Sequence, residues 1–594
     1  MPMDDVATAH EGQTTDRPGD EPIRRDPHGL PMIGSYPDFA NPDLVDTMPL
    51  TARTLIDIGC GGGAIGAAYL RRNPRARMLG VDIDAGSIAV ARTRLTEAAV
   101  CDVQTEAFPF DLAEGVDCLI YGDVLEHLSD PWAVLARHAE LLNPDGTVLV
   151  CFPNVEHWSI TYRLLKGSFD YEDAGLLDRT HLRWFTPRTM GAALERAGLT
   201  LCDVRPRPVD AAEATRFVEA MGPALATMGI DPADYLNRAA PIQFVWRAKK
   251  QPRPRLVLGA TMLPPVGGVS DARVIEPVRA MATDASLLTS IRPESELAPV
   301  MEGVPQVAVL HRPLLLGEPG LARVRELIRR GYVVVSEFDD HPGFLEARGV
   351  SQADLLTFSA VHAVQTSTES LAAVLSAFNP EIAVFPNAVA ELPEPVNFAN
   401  TERMTLFFGA LNREEDWAPY MPVLNEVLRA VGARLAVTVV HDRGFFDALD
   451  TTEKNFVPTC DYPTYRGLLA QSEISFMPLQ DNVFNQAKSD LKFLEASAAR
   501  VVSLCSPVVY EASVRDGETG LLFRSPDHLR MQLLRLLAYP DAARRLAEAA
   551  RAEVSAGRML AYQVRARTDW YHALWARRAE LTEALRARVP ALFA

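Results

Sequence analysis

A carboxylate followed by nearly bare backbone carries the first chemistry in this chain: Asp57-Ile58-Gly59-Cys60-Gly61-Gly62-Gly63-Ala64. Thr54 to Ile58 read as a buried strand, the glycines as a turn almost without side chains, and Ala64 to Leu70 as a helix. Such a turn lets a ligand lie against the backbone near a helix N-terminus. Asp82 ends a second apolar run, Met78-Leu79-Gly80-Val81. An acid there accepts hydrogen bonds from both ribose hydroxyls of an adenosine. The glycine turn alone leaves a nicotinamide enzyme open.

A second constellation lies far downstream. Lysine is scarce, yet Lys488 and Lys492 stand four apart, with Glu495 three further on. If 490–499 is a helix, Lys492 and Glu495 share a face and Lys488 stands at its N-terminal end. Ammonium groups at a helix N-terminus suit a diphosphate, and Glu495 then accepts from a nucleotide ribose. A solvated charge cluster is the plain alternative. Arg413, after the run Met404 to Gly409, is a second phosphate ligand, although Glu414, Glu415 and Asp416 follow it.

Both constellations need elements to hold them, and the bulk numbers bound what those can be. At 594 residues the chain is too long for one core. A formal charge of −18 disfavours nucleic acid as a partner. The cysteines (Cys60, Cys101, Cys118, Cys151, Cys202, Cys460, Cys505) form no C-x-x-C pair, which reads as reduced thiols in a cytoplasmic protein without a zinc site. No signal peptide or membrane-spanning apolar run is read.

Residues 1–48 read as a disordered lead, with a short helix near Pro42-Asp43-Leu44. From Thr51 strands and helices alternate, the signature of a parallel α/β sheet. A helix is expected over 85–98, strands at 100–102, 117–121 and 146–151, a turn at Asn143-Pro144-Asp145-Gly146, and closing antiparallel strands near 198–204 and 242–246. Residues 211–240 read as a helical insertion. Lys249-Lys250-Gln251-Pro252-Arg253-Pro254-Arg255 reads as a linker. A new α/β pattern follows, with strands at 256–259, 306–311, 332–340, 360–365 and 382–389, and another opens at 404–409.

The order of the first half resembles the class I S-adenosylmethionine-dependent methyltransferases. The matching runs are DIGCGGGAIG (57–66), VDID (81–84), GDVLEHLSDP (122–131) and LLNPDGTVLV (141–150). FPNVEHW (152–158) and GLLDRTHLRWFT (175–186) are similar to a bacterial subgroup associated with cell-surface polysaccharides. The resemblance implies that Asp57 with Gly59, Gly61 and Gly63 lines the methionine part and sugar of the cofactor. It implies that Asp82 holds the ribose, that Asp102 or Val103 sits by the adenine, and that Asp123 lies toward the methyl group. Methyl transfer to a hydroxyl needs an aligned nucleophile and a proton acceptor, for which His127 and His181 are the candidates. Trp158, Tyr162, Phe169, Tyr171 and Trp184 read either as a lid over the acceptor or as a further core layer.

The second half resembles the GT-B glycosyltransferases, in particular the large retaining group that uses nucleotide sugars. The residues that carry this are the GGV loop (267–269), VQTSTESL (364–371), FPNAV (385–389), FFGALNREEDW (407–417), KSDLKFLEASAARVVSLCSP (488–507) and RDGETGLLF (515–523). The resemblance implies a donor site from Gly268, Arg413, Lys488, Lys492 and Glu495. Many relatives carry an acid eight residues before the ribose glutamate, where this chain has Ala487. Glu337-Phe338-Asp339-Asp340 reads as a cleft group or a capping turn, and His311 ends a strand on the same edge. The C-terminal helices are expected to brace the first lobe; their Arg-rich face could also touch an acidic membrane.

The reading is therefore an α/β chain with a methyltransferase domain (49–250), a linker (251–255), a GT-B acceptor lobe (256–398) and a donor lobe with closing helices (399–594). Its expected activity is bifunctional: methyl from S-adenosylmethionine and sugar from a nucleotide sugar, delivered to a glycan or lipid-linked glycan. The alternatives are a live methyltransferase carrying a degenerate, glycan-binding GT-B module, and a dehydrogenase-like first domain.

Overall fold

The computed structural model describes residues 32–594 apart from 34–35, 263–267, 294–295, 297–302, 347–348, 352–354 and 401. The expected disordered lead therefore lies outside the described residues over 1–31, as do Pro264 to Gly267 of the second glycine loop. The short helix forms at Pro42–Val45, with the Asn41 side chain accepting from the Asp43 N–H.

Strands β1 (Thr54–Ile58), β2 (Arg77–Asp82), β3 (Glu97–Val100), β4 (Val116–Gly122), β5 (Leu142–Pro153), β6 (Thr200–Pro208) and β7 (Pro241–Lys249) build a seven-stranded sheet in the order β3-β2-β1-β4-β5-β7-β6. The first five are parallel, and β7 runs antiparallel to both β5 and β6. The chain direction across the sheet reverses between β1 and β4, so a cleft opens beyond their carboxyl ends. The loops at that point begin at Gly59 and at Asp123.

The second half holds two six-stranded sheets, each wholly parallel. Strands β8 (Leu256–Met262), β9 (Leu287–Pro293), β10 (Gln306–His311), β11 (Val333–Glu337), β12 (Ala363–Thr366) and β13 (Ile382–Val384) order as β9-β8-β10-β11-β12-β13. The last sheet contains β14 (Met404–Gly409), β15 (Leu435–Val440), β16 (Lys454–Val457), β17 (Ile474–Met477), β18 (Val502–Cys505) and β19 (Leu521–Leu522), in the order β16-β15-β14-β17-β18-β19. Helices Val564–Ala576 and Arg578–Arg588 return to the middle sheet, where Tyr571 donates to Gln365 at 2.7 Å and Leu585 joins the core of Leu310, Val334 and Phe358.

The three sheets are packed together. One apolar cluster runs from Leu44, Tyr69 and Val245 into Ala280, Ala388, Leu560 and Val564 of the second half. Buried Arg247 pairs with Asp203 and donates to the carbonyls of Thr283 and Ala282 across that boundary.

Several local expectations need correction. The helix expected over 85–98 stops at Ala91, and the third strand comes earlier, at Glu97–Val100. Leu95 still turns inward, under Gly63, Gly66 and Gly80, so its helical spacing was produced by a turn. The Asn143-Pro144-Asp145-Gly146 turn is an irregularity inside β5: its pairing with β4 shifts register between Val116 and Cys118. Strand β9 was absent from the sequence reading.

Candidate functional site

The glycine turn is positioned from both sides. Gly59 and Cys60 donate to the Val81 carbonyl at 2.8 and 3.1 Å, and Gly61 donates to Asp82 Oδ2 at 2.9 Å. Gly59, Gly61 and Gly63 all have positive φ (70°, 52° and 79°), the backbone region that glycine adopts without strain. A Cβ on Gly59 would lie 2.5 Å from Val124 Cγ2, so the missing side chain also lets the loop after β4 pack onto the turn. A Cβ on Gly61 would meet nothing within 4 Å, which leaves open space over the turn.

Asp57 is buried beneath this turn, and its Oδ2 has no hydrogen-bond partner. Burial, helped by the nearby Asp82 carboxylate, pushes its carboxyl up to about 8. An orphaned buried acceptor costs free energy unless a ligand donor reaches it. Asp82 points one oxygen at Gly61 and accepts the Asp84 N–H at 2.9 Å on the other, at the end of β2. Asp102 caps its own turn through Gln104 N–H and Thr105 Oγ1, beside buried Val103. The glycine turn, Asp57 and Asp82 thus stand together at the carboxyl ends of β1 and β2, with an unpartnered acceptor oxygen below the turn and open space above it.

The loop after β4 faces this space. Asp123 adopts a positive φ of 56°, accepts from Gln243 Nε2 at 2.8 Å, and has its carboxyl raised by burial. Glu126, buried on the 3-10 turn Leu125–His127, has an Oε2 with no partner, and burial beside Asp123 holds its carboxyl well above the usual range. The Glu126 carbonyl accepts from both Leu182 N (2.8 Å) and Arg183 N (2.9 Å), which pins residues 176–183 against the turn. His127 and His181 are thereby brought together, their ring centres 4.9 Å apart. One ligand atom each from Glu126, His127 and His181 lies within 4.8 Å of the others. Burial, then the His127 charge, lowers the His181 imidazole. Glu126 was missed by the sequence reading, although it stands inside the quoted run GDVLEHLSDP.

The expected aromatic lid divides into two contact groups. Trp158 touches Tyr162 and Phe217, while Phe169, Tyr171 and Trp184 touch one another. Tyr162, Phe169 and Tyr171 are 45%, 39% and 52% exposed, so they are a rim rather than a core layer.

In the second half, helix Leu491–Ala498 forms as expected, with Asp490 at its N-cap. Its groups are already engaged. Lys492 donates to the Gly409 carbonyl and to Tyr465 Oη (3.3 Å). Glu495 accepts from Tyr462 at 2.8 Å, and Tyr462 lies against Gly268. Arg413 donates to Asp416 (3.1 Å) and Asn485 (3.0 Å). Lys488 pairs with Asp340 of the middle sheet's edge at 3.4 Å, and Asp340 and Asp339 both pair with Arg312. Burial lowers Lys488 and Lys492 and raises Glu495, whose rise Lys492 opposes. The neighbouring Glu337 is no cleft group: it is fully buried against Arg273. Buried His311 has neither ring nitrogen partnered and feels the charge of Asp339. Ala487 packs in the middle sheet's core beside Phe338, where an acid would lie against apolar side chains.

Comparison with known proteins follows the same division. Residues 37–204 match the family described as methyltransferase domain, and residues 423–568 match the family described as glycosyl transferase-like. Among curated relatives, the ubiquinone biosynthesis O-methyltransferase of Paracidovorax citrulli is 33% identical over 165 residues, covering 26% of this chain and 67% of that protein. The enzyme of the same name from Stutzerimonas stutzeri is 29% identical over 162 residues, covering 26% and 68%. Among solved structures, TarM of S. aureus is 11% identical with a TM-score of 0.35, covering 45% of this chain and 54% of that one. The sheets are Rossmann-like in both halves, methyltransferase in the first and GT-B-like in the second.

Proposed function

The chain belongs to the methyltransferase-domain family through residues 37–204, and from that premise we propose a two-activity transferase acting on one glycan or lipid-linked glycan. The first cleft takes S-adenosylmethionine and methylates an acceptor hydroxyl, and the second half takes a nucleotide sugar. The observation that carries the first activity is the orphaned Asp57 oxygen beneath a glycine turn held by Asp82. The relatives' names, O-methyltransferases, support oxygen as the methylated atom.

When bound, the cofactor supplies a sulfonium methyl as electrophile. Asp82 accepts from the ribose hydroxyls, and Asp57 with the carbonyl edge of the turn receives the ammonium. The loop from Asp123 to His127, packed on Gly59, fixes where the acceptor oxygen stands relative to that methyl. The hydroxyl must give up its proton, and His127, His181 and Glu126 line that side. The aromatic rim stacks on the apolar face of a sugar ring.

For the second half, Lys488, Lys492 and Arg413 with Glu495 would grip a nucleoside diphosphate. One observation favours a second reading, a degenerate module that binds glycan without turning over a donor. The three cations and the acid are satisfied by protein partners, and Ala487, at the position where the GT-B resemblance implies an acid, is buried. Calorimetric titration of the full chain with UDP-, GDP-, dTDP- and ADP-sugars separates the two. One donor bound, and lost in a Lys488→Ala/Glu495→Ala variant, establishes the transferase. No donor bound, with S-adenosylhomocysteine still taken up, establishes the degenerate module.

A further inference from the structure

We propose that Glu126, His127 and His181 hold a divalent first-row metal ion in the methyl-transfer cleft, and that this ion binds the acceptor through adjacent oxygens. The inference rests on the methyltransferase reading of that cleft. Three observations carry it. First, one donor atom from each residue lies within 4.8 Å of the other two, which one ion can span. Second, the Glu126 side chain is buried at 1% exposure, its Oε2 has no partner, and no ion pair to it occurs among the described residues. A carboxylate placed so, between two imidazoles, is costly unless a cation completes it.

Third, the tautomers are set from behind. His127 Nδ1 faces the Thr180 carbonyl at 3.3 Å and Thr180 Oγ1 at 3.2 Å. That hydroxyl spends its own proton on Asp178 Oδ1 at 2.7 Å, so it can only accept from the ring. His181 Nδ1 faces the Leu176 carbonyl at 3.3 Å. Both rings therefore carry their proton on Nδ1 and a lone pair on Nε2, the arrangement by which a backbone carbonyl orients a metal-binding imidazole. The Asp178 turn, closed by Thr180 N–H at 2.7 Å, and the two bonds to the Glu126 carbonyl make the set rigid.

Two imidazoles and one carboxylate leave coordination positions free, and imidazole favours transition ions over magnesium. The three residues stand beside the glycine turn, because Val124, two residues before Glu126, packs on Gly59. A vicinal diol, as in a sugar ring, fits the free positions as a two-oxygen ligand. Coordination acidifies the bound hydroxyl, whose proton passes to solvent water. The oxygen then takes the methyl carbon, and the broken C–S bond leaves its electrons on sulfur. The same ring nitrogens cannot also serve as the proton acceptor, so the two histidines become ligands rather than bases.

The test uses the full chain, stripped with chelator and titrated with Co²⁺, reading visible d–d absorption and stoichiometry. S-adenosylhomocysteine binding is measured on the same samples. One Co²⁺ per chain is expected. Glu126→Gln and His181→Asn should each weaken it by at least the roughly 10- to 100-fold that loss of a metal's outer-shell partner costs, while S-adenosylhomocysteine binding persists. That persistence reports that the variants fold. No Co²⁺ uptake by a wild-type chain that binds S-adenosylhomocysteine overturns the metal site, as does equal uptake by both variants. Co²⁺ uptake that depends on Glu126, without S-adenosylhomocysteine binding, keeps the metal site and overturns the methyl-donor reading instead.

Discussion

The two clefts of this chain both gather ionisable groups and differ in which of them are left unpaired. In the first, Asp57 and Glu126 are buried with an oxygen unpaired. In the second, Arg413, Lys488, Lys492 and Glu495 each have a protein partner, while imidazole nitrogens of His311 and His441 are buried without one. An unpaired buried acceptor is a standing cost, and a ligand that meets it recovers that cost as affinity. A site whose charges satisfy one another must break those bonds before it can bind. The contrast teaches that the first cleft is preorganised for ligand, while the second holds the same kinds of residues in a closed, self-paired state.

The largest effect should come from breaking the second half alone. Arg273 and Glu337 form a fully buried pair, with Arg273 also donating to the Phe385 carbonyl and to Asn387. Arg273→Ala strands the Glu337 carboxylate and should cost about 3–5 kcal/mol of stability. Denaturant unfolding followed with S-adenosylhomocysteine titration should show that loss without a matching loss of cofactor affinity. Next, Asp82→Ala removes the expected acceptor for two ribose hydroxyls and the anchor of Gly61. It should weaken S-adenosylhomocysteine by roughly 3 kcal/mol, on the order of 100-fold, with donor-sugar binding unchanged.

Asp57 sharpens the contrast through pH. Its folded value, pushed up to about 8 by burial, lies above the ordinary carboxylate value of 3.8, so between these the folded state binds the extra proton. Stability from this group is therefore full below about pH 4 and is lost as pH rises toward 8. Asp57→Asn should match the wild-type Tm near pH 4 and exceed it increasingly up to pH 8, a gap on the order of 2 kcal/mol after relaxation. A constant gap would contradict the account. The smallest expected effect is Lys488→Ala, about 1.5 kcal/mol on binding of a nucleotide sugar, because the lysine must first leave Asp340. Strengthened binding on Asp340→Asn would show that the cross-cleft pair opposes the donor.

Much of this arrangement was legible in the sequence. Strands Gln306–His311 and Met404–Gly409 are built on the apolar runs Val307 to Leu310 and Leu406 to Phe408, and Thr368 caps its helix as its position before Glu369 and Leu371 suggests. The glycine turn and Asp82 lie close in sequence, so their meeting could be anticipated. Strand Leu287–Pro293 was missed because it is an edge strand of intermediate exposure, with Thr289, Ser290 and Arg292 interrupting the apolar pattern. The partnership of Glu126 with His181 depends on two backbone bonds between segments far apart in the chain, which periodicity cannot reveal. Nor could it show that Ala487 is buried in the neighbouring lobe's core, which decides the fate of the acid expected there.

The central claim is that the first cleft is built for an S-adenosyl ligand. Calorimetric titration of the full chain with S-adenosylhomocysteine, beside NAD and beside the Asp82→Ala variant, tests it most directly. The account predicts one equivalent of S-adenosylhomocysteine bound, no heat with NAD, and loss of binding in the variant. Heat with NAD, or S-adenosylhomocysteine binding indifferent to Asp82, would contradict it.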